Sequence, residues 1–93
     1  MNVSVVIPTY NRKPILEKCL KSLENQILNH KISNYEIVVV DDGSYDGTNE
    51  VLRKVIKKQK NISFLTHKKN YGQSIGLRTG ILNTKFDFIV TLD

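Results

Sequence analysis

The sequence predicts an α/β fold, with a mainly parallel sheet and helices packed on its faces. Three observations carry this expectation. Short β-branched runs alternate with longer stretches of helical periodicity in the order βαβαβαβ, which calls for parallel strands joined by crossovers. The run Ile37-Val38-Val39-Val40 is apolar at every position, the pattern of a strand covered on both sides. It ends on two adjacent acids, Asp41 and Asp42, at the strand end outside which open α/β sheets bind ligands.

Each element has a local reason. Val3 to Ile7 reads as the first strand, closed by Pro8, which lacks a backbone donor. Pro14 suits the first turn of a helix, where its missing N–H costs nothing. Ile15, Leu16, Cys19, Leu20, Leu23 and Ile27 then make one apolar stripe. Asn29 to Asn34, including His30, is a polar connection, and Tyr35 to Val40 the second strand. Gly43, Ser44, Asp46, Gly47 and Thr48 supply a turn. Thr48 is the expected N-cap of a second helix, with Asp46 as an alternative capping group and Val51, Leu52, Val55 and Ile56 as its buried stripe. Ile62 to Thr66 is a third strand with His67 at its exit. A third helix follows from about Gln73 to Leu82, and Asp87 to Leu92 forms the fourth strand. Gly76 and Gly80 share a face of that third helix and imply close packing on the sheet.

Composition narrows the function classes. Ninety-three residues make one small domain or a piece of a larger one. With 40% apolar and 25% charged residues the composition is ordinary for a globular chain. No apolar run approaches the roughly 20 residues of a membrane span, and Pro8 interrupts the N-terminal run too early for a secretory signal. A single cysteine, Cys19, excludes an internal disulfide and fits a reducing cytoplasm; its place in the stripe makes it a core residue rather than a nucleophile. The net charge of +5 owes much to Arg53, Lys54, Lys57, Lys58, Lys60, Lys68 and Lys69. Aromatic residues are not interleaved with them, so a solvated helix face is favoured over nucleic-acid binding, and attraction to an anionic membrane surface stays open.

Neither of the two commonest phosphate-binding glycine motifs occurs. The turn after the first strand is Pro8-Thr9-Tyr10-Asn11-Arg12, and Tyr10 offers a ring on which a nucleobase could stack, or alternatively covers the first helix. Asp41 and Asp42 are either ligand-binding acids or turn residues bonding the backbone of Gly43 and Ser44. The amides of Asn70-Tyr71-Gly72-Gln73, opening the third helix, could approach a phosphate. Arg78 could pair with one bidentately, although an exposed structural arginine is commoner.

Four segments, VSVVIPTYNR, EIVVVDDGSYDGT, NYGQSIGLRTG and DFIVTLD, together resemble the family 2 inverting glycosyltransferases of the GT-A type. The resemblance implies a Rossmann-like three-layer α/β/α fold. The chain would be the nucleotide-sugar-binding N-terminal part, residues 1–93, cut at the first acid of the D-x-D motif. The NYGQ segment and the VTLD ending look most like the branch that moves sugars onto polyprenyl or dolichyl phosphates. By this resemblance Pro8, Thr9 and Tyr10 hold the base, Asp41 binds it and Asp42 lies in the same pocket. Arg78 contacts phosphate, and Asp93 contacts ribose and a Mg²⁺ or Mn²⁺ ion. Arg12 replaces the glutamate often found in the family's first loop. The donor is a UDP- or GDP-sugar, the acceptor is membrane-associated, and the location is cytoplasmic, at the membrane face for the full-length protein. The residues needed to transfer the sugar lie beyond residue 93, so no transfer is expected of this chain alone. The truncated sheet edge invites self-association. A stand-alone nucleotide-binding or receiver-like signalling module is the competing reading. A receiver, however, needs a lysine after a later strand, and here Thr66-His67 closes the third.

Overall fold

The computed structural model describes residues 2–29, 32 and 34–92. Its elements are β1 (Asn2–Thr9), α1 (Lys13–Asn29), β2 (Asn34–Asp41), α2 (Thr48–Lys58), β3 (Ile62–Thr66), α3 (Gln73–Leu82) and β4 (Phe88–Thr91). All strand pairings are parallel, in the order β3-β2-β1-β4. Residues 30, 31 and 33 of the expected polar connection lie outside the described residues.

The pleat sorts the sheet into two faces. Val3, Val5, Ile7, Ile37 and Val39 pack with Leu16, Leu20, Ile27 and Leu52 of α1 and α2 in one core. Val6, Val38 and Val40, equally buried, face α3. A Cβ built on Gly80 would lie 2.2 Å from Val6 Cγ1, and one on Gly76 would lie 3.2 Å from Pro8 Cβ. The two glycines thus let α3 approach β1 at close range, as their spacing implied.

β3 and α3 keep the bounds expected from sequence; elsewhere the differences are instructive. Pro8 lies inside β1, paired in register with Val40. Val6 O accepts from Leu92 N, so Val6 points its polar groups towards β4, and Pro8, two residues on, points the same way. The β4 pairing ends at Val6↔Thr91, so Pro8 faces no ladder that needs its donor. Gly47, at φ +91°, takes the N-cap position of α2, and Thr48 becomes the first helical residue. Ile15 and Ile56, expected in apolar stripes, are exposed because each stripe is wider than the surface its helix covers.

A buried polar cluster on the α3 side was not foreseen. Ser4 Oγ donates to Glu36 Oε2 at 2.6 Å, the same oxygen accepts the Lys85 amide, and Phe86 N donates to Ser4 Oγ at 3.2 Å. Glu36 and Ser4 thereby fix the connection from α3 to β4. Among the described residues no helix is long and apolar enough to cross a membrane.

Candidate functional site

The carboxyl ends of β1, β2 and β3 carry three loops that are bonded to one another. Asn11 sits in the left-handed region at φ 49°, which asparagine tolerates. Its amide donates to Ser44 Oγ at 2.8 Å, and its Oδ1 accepts from Tyr45 N at 2.9 Å. Asp46 Oδ2 accepts from Lys13 N at the start of α1, and its Oδ1 accepts from Thr48 N and the Thr48 hydroxyl at the start of α2. One carboxylate thus faces the positive ends of two helices. The Thr48 hydroxyl first, opposed by desolvation and aided by the Lys13 and Thr48 amides, holds the Asp46 carboxyl below its ordinary value.

Asp41 and Asp42, adjacent in sequence, have different surroundings. Asp41 follows Ile37 and Val39 on the α1/α2 face and is fully buried. Its Oδ1 accepts from Ser44 N at 3.1 Å, while Oδ2 has no partner among the described residues. Asp42 turns to the α3 face. Its Oδ1 accepts from Tyr71 N at 2.9 Å and lies 2.8 Å from His67 Nδ1, and its Oδ2 accepts from Gly72 N at 2.7 Å. Burial works to raise the Asp42 carboxyl. The Tyr71 amide, His67 and the Gly72 amide outweigh it, so the group is held below its ordinary value.

Between the first and third loops lies a cavity of about 430 Å³, within the range of small-molecule sites. Pro8, Thr9, Tyr10 and Arg12 line one side, with Ile15, Leu16 and Cys19 of α1 below them. Asp42, Asn70, Gly72 and Gln73 line the other. Tyr10 is partly exposed and meets Tyr45 edge to face, with ring centroids 6.3 Å apart. Arg12 is exposed and is the only cationic side chain in this lining among the described residues.

Of the residues singled out from sequence, Pro8, Thr9, Tyr10 and Asp42 converge on the cavity. Asp41 does not line it. The strand pleat turns its side chain to the opposite face from Asp42. Arg78 does not line it either. At 3.6 residues per turn it lies about 200° around α3 from Gly76, which faces the sheet, so it points outward and is exposed. The amides of Tyr71 and Gly72 are not open to a phosphate, because the Asp42 carboxylate already takes them. Asp93 lies outside the described residues. Among those residues, no group of three or more His, Cys, Asp or Glu side chains is placed to hold a metal ion.

His67 was missed. Read from sequence as a strand-ending residue, it bridges Asp42 to α3: Nε2 lies 2.9 Å from Thr79 Oγ1, and the ring meets Tyr71 edge to face at 5.3 Å. The only hint in the sequence is a histidine at the exit of a strand that runs beside the one ending in two acids.

The family model for glycosyl transferase family 2 matches residues 4–93. An undecaprenyl-phosphate 4-deoxy-4-formamido-L-arabinose transferase of Aeromonas hydrophila is 36% identical, over 98% of this chain and 28% of its own length. Staphylococcus aureus TarS 1-349 in complex with UDP superposes with a TM-score of 0.75 at 28% identity, over all of this chain and 27% of that one. A Pyrobaculum calidifontis mannosyltransferase, in complex with GDP-Man and Mn²⁺, shares the fold with a TM-score of 0.76 at 24% identity, over 94% of this chain and 25% of that one. The chain therefore spans about a quarter of the length of these proteins.

Proposed function

This chain belongs to glycosyl transferase family 2, and from that premise we propose that it is the donor-binding part of an enzyme that moves a sugar from a nucleoside diphosphate sugar to an acceptor. The carrying observation is the cavity at the carboxyl edge of the sheet, with the Tyr10 ring on one side and the Asp42 carboxylate on the other. An aromatic face and a fixed acceptor are what a nucleobase needs: a surface to stack on and a partner for its N–H. In this reading Pro8, Thr9 and Tyr10 seat the base. Asp42 takes the accepting role first assigned to Asp41, and Asp41 shapes the turn through the Ser44 amide. UDP and GDP are the nucleotides to consider, because the similar structures carry UDP and GDP-Man.

The reaction we assign is in-line displacement at the anomeric carbon, with inversion. Asp93 is the proposed ligand of a Mg²⁺ or Mn²⁺ ion, which when bound would stabilise the departing diphosphate as a Lewis acid. A polyprenyl phosphate at a membrane face is the acceptor class we propose, by analogy with the undecaprenyl-phosphate transferase. Residues 1–93 by themselves are proposed to bind nucleotide without transferring sugar.

Titration with UDP and GDP, followed by amide chemical shifts, tests the donor site. Shifts at Thr9, Tyr10 and Gly72 are expected, with affinity about tenfold weaker in Tyr10→Ala, from the loss of one stacking contact. Shifts confined to the basic face of α2 would place the nucleotide elsewhere and overturn the reading.

A further inference from the structure

The geometry points to His67 as the positioning residue of the nucleotide site. It holds the Asp42 carboxylate in one orientation and ties it to α3 through Thr79. This inference rests on the donor-site reading above.

Among the described residues Asp42 is the one carboxylate in the cavity lining, and an ionised carboxylate only accepts hydrogen bonds. Its position can therefore be set only by donors. Two are the backbone amides of Tyr71 and Gly72, which belong to a loop. The third is His67 Nδ1 at 2.8 Å, whose amide is itself anchored to Asp41 O at 2.8 Å. Because Nδ1 faces a carboxylate, it carries the proton. In the neutral ring Nε2 is then an acceptor, and it lies 2.9 Å from the Thr79 hydroxyl. In that neutral tautomer the Thr79 hydroxyl donates to His67, and His67 donates to Asp42. Thr79 sits beside Gly80, where α3 packs closely on Val6 and Val40 of the sheet.

The ring does a second thing. Its edge-to-face contact with Tyr71 steadies the same loop whose amides bind Asp42. Carboxylate, loop and helix are thereby held as one unit before any ligand arrives. A nucleobase N–H then meets an acceptor that needs no reordering, the condition under which a hydrogen bond contributes most to affinity.

The test uses the full chain with UDP and GDP in parallel. His67→Phe keeps the ring and removes both nitrogen contacts, while His67→Asn keeps a side-chain N–H near the Nδ1 position. The expected result is about tenfold weaker nucleotide binding in His67→Phe and recovery of most of that loss in His67→Asn. Amide exchange in β1 and β2 should be unchanged in both variants. In the wild type, ¹⁵N shifts of the ring should report the Nδ1–H tautomer. Equal affinity in wild type and His67→Phe, or an Nε2–H tautomer, would overturn the positioning role. So would equal weakening in both variants, since that is what a merely structural histidine gives. Failure of the underlying site looks different: the wild-type titration itself would leave Thr9, Tyr10 and Gly72 unmoved.

Discussion

The carboxyl edge of β1, β2 and β3 and the flank formed by β4 with the end of α3 are built on opposite rules. At the carboxyl edge, loops far apart in sequence are held by directional bonds from Ser44, Asp46 and Asp42, and the acids there are buried or part-buried. On the flank, Phe88 (54% exposed) and Val90 stand exposed on the α1/α2 side of β4, and Ile81 and Leu82 (72% exposed) stand exposed at the end of α3 on the other side. The Ser4–Glu36 cluster is what fastens the connection leading into that strand. A built site needs fixed donors and acceptors, because hydrogen bonds lose strength steeply with angle. Apolar flank residues have no such directional demand.

Three changes at the carboxyl edge should show how strongly it is fixed. The largest effect is expected from Asp42→Ala. It leaves two amides and an imidazole N–H without their shared acceptor, and such losses at a charged, buried group cost about 3 kcal/mol. Urea denaturation should show it. A loss below about 0.5 kcal/mol would mean that the loops stand without the carboxylate.

Gly43→Ala should come next. Gly43 has φ +80°, and a Cβ there would lie 2.8 Å from the Lys69 carbonyl carbon, a backbone atom that cannot rotate away. Left-handed strain and overpacking each act, for about 2 kcal/mol in the same measurement. An unchanged midpoint would show that the second and third loops separate freely.

Acid titration is the third probe. Asp42 and Asp46 are both held below the ordinary carboxylate value of 3.8 in the folded chain. Their contribution is therefore complete above the unfolded value and is lost as pH falls from about 4 through the lower folded values. Melting temperature should be flat from pH 7 to 5 and drop below pH 4. Asp46→Asn should make the drop shallower. A drop centred between pH 5 and 6 would point to groups other than these carboxylates.

How much of this was legible in the sequence follows the range of each interaction. β3, α3 and the glycine face at Gly76 and Gly80 were legible, because their signals are periodic and local. Pro8 was misjudged since its cost depends on which side of the strand a neighbour occupies, and that is fixed only when β4 pairs. The split between Asp41 and Asp42 follows from the pleat. It becomes visible only once Ile37 and Val39 are known to face α1 and α2 rather than α3. His67 and the captured amides of Tyr71 and Gly72 were out of reach because they meet Asp42 across 25 to 30 positions.

The smallest effect on stability is expected at the flank, from Phe88→Lys. Phe88 pairs through its backbone with Val3, and a lysine can keep that pairing. The side chain is more than half exposed, so little apolar area returns to water, and surface substitutions of this kind stay within about 0.5 kcal/mol. The ring does, however, stand exposed with Val90 on one face of an edge strand, and exposed apolar side chains on such an edge favour association. A lysine on the edge blunts that tendency by forcing a charge into any new pairing. Melting temperature should therefore stay near the wild-type value while concentration-dependent sedimentation, expected of the wild type, weakens. If Phe88→Lys destabilised the chain as much as Asp42→Ala, the contrast between a bonded edge and an uncommitted flank would be wrong, and β4 would have to count as core.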